Sequence, residues 1–148
     1  MSRFKLLFIL LVTVPVFLIS AEKDSLISKK WSIKNCVNQF DKSKAVSTKA
    51  GYQYWFADKD FLNGRTLKMS VVKPHDATHP PHKHSEDEFF FVLEGKARFF
   101  FDGDSVICEP YSSFYCPSMV LHGISNAGDT ELKYLVIKDY QNNNNHNK

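Results

Sequence analysis

Apolar residues in this chain come in short runs with period-two alternation, separated by turn residues. Residues 52–56 predict a strand, Asn63 and Gly64 a tight turn, and residues 65–72 the returning strand of a hairpin. Pro74, Pro80 and Pro81 predict a stiff loop over residues 73–81. The apolar run 89–93 predicts a buried strand closed by a turn at Glu94 and Gly95. Residues 96–101 then alternate, with Ala97, Phe99 and Phe101 on one face, and Asp102, Gly103 and Asp104 turn the chain into residues 105–108. Strands at 114–116, from His122 onward and at 131–138 complete the pattern, the last two joined by a turn at 126–129. Regular short strands without helical periodicity imply an all-β antiparallel sandwich or barrel. Phenylalanines lie on both faces of 89–91 and 99–101, so one face fills the core and the other meets a second sheet or a second subunit.

The two ends of the chain read differently. Arg3 and Lys5 precede an apolar stretch at 6–19, interrupted by Pro15, and Ser20 and Ala21 come before the charged Glu22, Lys23 and Asp24. This layout predicts a secretory signal peptide over residues 1–21, too short in its apolar core for a comfortable membrane span. The protein is therefore expected to be exported, to the periplasm or secreted, with no membrane attachment after cleavage. Residues 22–50 are polar and lysine-rich and predict an N-terminal arm, anchored by Trp31 and Ile33, that packs across the barrel or onto a neighbouring subunit. The β domain spans 51–140, and the asparagine-rich tail 141–148 has nothing to bury and is expected to be disordered.

Composition changes this picture in two places. The signal takes Arg3 and Lys5 with it, so the formal charge falls from +3 by two, to +1. No basic, aromatic-studded face remains, which excludes nucleic acid as a partner. Cys36, Cys108 and Cys116 are odd in number, so at least one thiol stays free even in an oxidising compartment. Cys108 and Cys116 fall in neighbouring predicted strands, a separation that sequence does not fix, and are expected as buried free thiols rather than as a pair.

The chemistry concentrates at His82, His84 and Glu88. Two histidines one residue apart place both imidazoles on one face of an extended strand. A second stretch answers them, where Pro117 and a turn precede His122 at the start of another apolar strand. Three imidazoles and one carboxylate suit one divalent transition metal per subunit, zinc, manganese, iron or nickel, with positions left open for substrate or water.

These residues resemble the cupin superfamily. Its first motif, HxH, three residues, E, six residues, G, is met by His82, His84, Glu88 and Gly95. Its second, P, x, G, two residues, H, three residues, N, is met by Pro117, His122 and Asn126, with Met119 in the glycine position. The upstream glycine of each motif is also replaced, by His75 or a neighbour and by Tyr111. The resemblance covers about residues 65–138 and implies a double-stranded β-helix, or jelly-roll barrel, preceded by the N-terminal arm. With the two-sided apolarity it also implies a homodimer or higher homo-oligomer.

A metal held this way stabilises the enediolate that develops when a proton leaves the carbon next to a carboxylate. Small exported cupins of bacterial type resemble proteins of polysaccharide breakdown. The resemblance implies a periplasmic metal-dependent lyase acting on uronic-acid sugars or oligosaccharides, by dehydration (β-elimination) or by opening of an unsaturated uronate ring. Tyrosines are the candidate bases, above all Tyr115 and Tyr134, with Tyr52 and Tyr54 on the first strand. Arg65 and Lys68 are candidate carboxylate binders, but strand parity keeps both from facing one pocket unless a bulge intervenes. The same ligand set is compatible with an iron or manganese dioxygenase or oxalate-type enzyme, and with a non-catalytic sugar- or metal-binding module.

Overall fold

The structure, a computed structural model, describes residues 31–140. The expected signal peptide and asparagine-rich tail lie outside the described residues. The chain divides after Val37 into two compact units. In the first, α1 (Ile33–Cys36) is a single helical turn, capped where the Asn35 side chain accepts the Ser32 backbone N–H at 2.7 Å. Ile33, expected as an anchor, is exposed, because a turn this short buries none of its residues.

The second unit carries nine strands: β1 (Val46–Thr48), β2 (Gly51–Ala57), β3 (Arg65–Val72), β4 (Glu88–Glu94), β5 (Ala97–Phe101), β6 (Asp104–Cys108), β7 (Ser113–Cys116), β8 (His122–Asn126) and β9 (Leu132–Asp139). They form a six-stranded sheet in the order β1-β2-β3-β9-β4-β7 and a three-stranded sheet in the order β6-β5-β8. Every pairing is antiparallel. Alternation does the sorting. Leu132, Tyr134 and Val136 of β9 and Phe90 and Val92 of β4 turn inward and meet Ala97 and Phe99 of β5 and Ile124 of β8 in one core.

The sheet begins before residue 51. β1 pairs with β2 from Val46↔Gln53 to Thr48↔Gly51, so the end of the expected arm belongs to the barrel. Tyr54 ties down the preceding chain, donating its hydroxyl to the Gln39 carbonyl at 2.9 Å and meeting the Phe40 ring edge-on. Asn63 and Gly64 do not form a two-residue hairpin. Residues Phe61–Gly64 make a 3₁₀ turn, started by the Asp58 carboxylate, which accepts from the Asp60 and Phe61 amides.

The strands of Cys108 and Cys116 are not paired with each other, since β6 and β7 are edge strands of different sheets. Both are free, as is exposed Cys36.

The three positions that lack the motif glycines keep a glycine-like backbone. His75, Tyr111 and Met119 have φ of 58°, 67° and 62°, in the left-handed region that favours glycine. The turns survive without glycine because their hydrogen bonds do. Tyr111 donates its N–H to the Val92 carbonyl and Met119 to the His84 carbonyl, both at 2.8 Å. Gly95, by contrast, has no substitute: a Cβ there would lie 2.4 Å from the Glu131 carbonyl oxygen.

Asn126 closes the fold behind the second motif. Its buried amide donates to the carbonyls of Val72, Lys73 and Thr130 at 3.0, 3.0 and 2.7 Å, and its carbonyl accepts from the Gly128 amide at 2.9 Å. Strand β8, which begins at His122, is thereby locked to the end of β3.

Candidate metal site

The two histidine segments meet through their backbones. His82 and His122 exchange reciprocal N–H···O bonds of 2.9 Å, an isolated antiparallel bridge, and Ser118 donates its hydroxyl to the Ser85 carbonyl at 2.7 Å. His82 and His84 therefore lie in a loop carrying one bridge and not on a strand, which is a correction to the sequence reading. The cause is the approach through Pro80 and Pro81, which lack the amide hydrogens that a continuous strand would need.

The result is a compact donor set. His82, His84, Glu88 and His122 each offer a ligand atom, and these atoms lie within 4.8 Å of one another. His122 is fully buried and Glu88 almost so. The Val120 carbonyl can only accept, so His122 Nδ1, 2.8 Å away, carries the proton and donates it. Nε2 of the same ring faces Glu88 Oε1 at 3.0 Å, which places both atoms to ligate one metal. His82 Nδ1 and both nitrogens of His84 are buried without a hydrogen-bond partner, so each ring has a nitrogen that a metal would satisfy. Contacts of His84 with Glu88 at 3.4 Å and with Glu86 at 3.6 Å are electrostatic and too long to satisfy those nitrogens. Burial, followed by the nearby His79, His122 and His84, holds His82 below the usual imidazole value and keeps it in the ligating, neutral form.

A cavity of about 120 Å³ opens beside this cluster, its walls including Lys68, Thr78, His79, His82, Tyr134 and Lys138. Lys68 enters it and Arg65 does not. Arg65 is exposed and pairs with Asp139 at 3.6 Å, as parity requires. The Lys68 ammonium has no carboxylate or hydrogen-bond partner among the described residues, only the Trp55 ring at 5.2 Å. Burial pulls it below the usual lysine value, and the Glu88 charge opposes that shift.

The two candidate tyrosines part company. Tyr134 is buried in the cavity wall, and burial pushes its hydroxyl up, which makes it a proton holder at neutral pH and a poor base. Tyr115 faces outward from β7, against Phe89, and donates to Asp87 at 3.2 Å. Its strand neighbours Phe114 and Cys116 take the inward positions, so parity turns Tyr115 away from the cavity. Tyr52 and Tyr54 do not line the cavity either. His79, Thr78, Lys138 and Glu86 escaped the sequence reading. Only Lys138 carried a signal, its even-numbered place in the inward row of Leu132, Tyr134 and Val136.

An all-β barrel with three imidazoles and a carboxylate gathered beside a small cavity has the fold of a double-stranded β-helix and a candidate metal site. Residues 68–138 match the family model described as Cupin domain, so this stretch is a cupin domain. No curated protein sequence matches. Among solved structures, a predicted oxalate decarboxylase from Thermotoga maritima is 19% identical, with 69% of this chain and 98% of that one covered and a TM-score of 0.59. The polyketide cyclase RemF from Streptomyces resistomycificus is 20% identical, covering 70% and 79% with a TM-score of 0.58. An RmlC-like cupin from Shewanella frigidimarina is 16% identical, covering 71% and 91% with a TM-score of 0.59. At these identities the likeness is one of fold.

Proposed function

We propose that this chain is a metal-dependent cupin enzyme of the carbon–oxygen lyase type, acting on a uronate at the end of a sugar or oligosaccharide. The observation that carries this reading is the unpartnered ammonium of Lys68 in the same small cavity as His82 and Glu88. A half-buried ammonium that touches no carboxylate gains a partner when an acid group arrives, so the cavity favours a substrate carboxylate. The volume accommodates the carboxylate and the carbons next to it; the rest of a longer sugar extends outward. His82, His84, Glu88 and His122 would hold the metal, which when bound supplies a Lewis acid for charge developing beside that carboxylate. Lys68 Nζ fixes the acid group, and Tyr134 Oη keeps its proton and offers a hydrogen bond to oxygen.

The arrangement of residues 1–21 supports export to the periplasm. No helix among the described residues is long and apolar enough to cross a membrane. Tyr115, Phe89 and Ile137 sit directly opposite one another on the outer sheet face, all exposed, and this apolar row supports self-association.

The test incubates metal-loaded protein with saturated and unsaturated uronate oligosaccharides, with and without chelator, read by ultraviolet absorbance and mass. Chelator-sensitive loss of water with rising absorbance establishes a dehydratase; falling absorbance at constant mass establishes ring opening. Lys68→Met should raise KM for the acid at least tenfold. No change on any uronate overturns the reading. One observation favours a second reading: the small cavity also suits a short acid handled by an iron- or manganese-dependent redox enzyme, which an oxygen electrode detects.

A further inference from the structure

Around the ligand atoms runs a closed ring of polar side chains. Glu88 Oε1 lies 3.4 Å from His84 Nε2, and His84 Nδ1 lies 3.6 Å from Glu86 Oε2. The same Glu86 oxygen lies 3.7 Å from Lys138 Nζ, which in turn lies 3.9 Å from Glu88 Oε2. The ring is built into the sheet: Glu88 and Lys138 are direct cross-strand partners on β4 and β9, and both point inward. Glu86 reaches it from the loop just before β4.

The ring divides labour between the two Glu88 oxygens. Oε1 faces His84 and His122, whereas Oε2 faces the Lys138 ammonium. A carboxylate that turned both oxygens to a metal would occupy a position that a bidentate substrate needs. His84 has a matching problem, because its Nε2 can ligate only if Nδ1 bears the proton, and Nδ1 lacks a hydrogen-bond partner. The nearest carboxylate oxygen is that of Glu86, about half an ångström outside hydrogen-bond range.

We propose that Glu86 and Lys138 are positioning residues for the metal site. Glu86 accepts a hydrogen bond from His84 Nδ1–H, which leaves Nε2 free to ligate, and Lys138 retains Glu88 Oε2 so that Oε1 alone would face the metal. The two lysines of the cavity thus have different work: Lys138 is engaged by Glu86 and Glu88, and Lys68 is left for the substrate acid. The inference rests on the metal-site reading of these residues and is independent of the substrate.

Its test needs no turnover. Full-length protein is titrated with cobalt(II), and affinity and the visible absorption band are recorded. Glu86→Ala should weaken cobalt binding about tenfold or more, with recovery in Glu86→Gln, whose amide oxygen still accepts from imidazole. Lys138→Met should change the intensity and position of the band as the second Glu88 oxygen joins the metal, and Lys138→Arg should restore it. Wild-type affinity in Glu86→Ala overturns the role of Glu86, and a wild-type spectrum in Lys138→Met overturns that of Lys138. Circular dichroism of the metal-free variants separates misfolding from either effect, and the Gln and Arg variants decide the matter if the others unfold. Absence of saturable cobalt binding by the wild type would instead remove the metal reading itself.

Discussion

Replacement of Asn126 isolates the hydrogen bonding that holds the second motif in place. Its side-chain amide has two protons for three carbonyls, those of Val72, Lys73 and Thr130, and its oxygen takes the Gly128 amide. Asn126→Ala removes about three net hydrogen bonds, each worth roughly 1 kcal/mol, and leaves carbonyls without partners in a site that is 3% exposed. The expected loss is about 3–4 kcal/mol, a large share of the stability of a domain this size. Asn126→Asp is the sharper variant. It keeps the shape and the bond from Gly128 but turns an acceptor, charged at neutral pH, toward three carbonyl oxygens, so it should cost at least as much as alanine.

Urea unfolding of the metal-free protein, followed by circular dichroism, measures both variants. With an m-value of about 2 kcal/mol/M, the midpoint should fall by roughly 1.5–2 M at unchanged slope. If Asn126 merely fills space, aspartate would behave like asparagine and only alanine would destabilise. An aspartate variant within about 1 kcal/mol of wild type therefore refutes the hydrogen-bond account.

Other consequences are open to measurement. Tyr111→Gly should stabilise by about 0.5–1 kcal/mol, because Tyr111 is an exposed residue held at φ 67°, while Tyr111→Ala should not; paired urea melts check this. In chelator, thermal stability should fall as pH drops through 6.5. His82 resists protonation in the fold, so below its ordinary value the unfolded chain binds more protons, and His82→Gln should flatten the profile. A thiol reagent with mass detection should label exposed Cys36 at once and leave Cys116 untouched until denaturant is added, since burial pushes that thiol up to about 12.

The legible parts of this fold are those where one local rule decides. Arg65–Val72 was readable to the residue because alternation and flanking turn residues agree, and His82, His84, Glu88 and His122 were readable because their spacing is set by one loop and two strand starts. Strand β1 was not, since Val46, Ser47 and Thr48 are held by backbone pairing alone and carry no alternating signature. The His-x-His pair was read with the right partners but the wrong backbone, because two prolines override strand geometry while the bridge between His82 and His122 preserves their convergence.

Parity was the most informative rule and also marks where sequence reasoning stops. It states that Arg65 and Lys68 take opposite faces, but which one enters the barrel depends on the register of β3 against β9, where Lys68 lies opposite Val136 and Arg65 opposite Asp139. Once β9 is known to bury Leu132, Tyr134 and Val136, the same rule brings Lys138 inward and places it across from Glu88. Tyr134 and Tyr115 separate on the same ground. Glu86 has no such rule, because a loop residue is placed by what it pairs with, and its partners His84 and Lys138 lie on different segments. The candidate ligands are thus written in local spacing, whereas Lys138 is placed by the pairing of distant strands. The four candidate ligands are for that reason easier to read from sequence than the cavity face of Lys68, which turns on the register of β3 against β9.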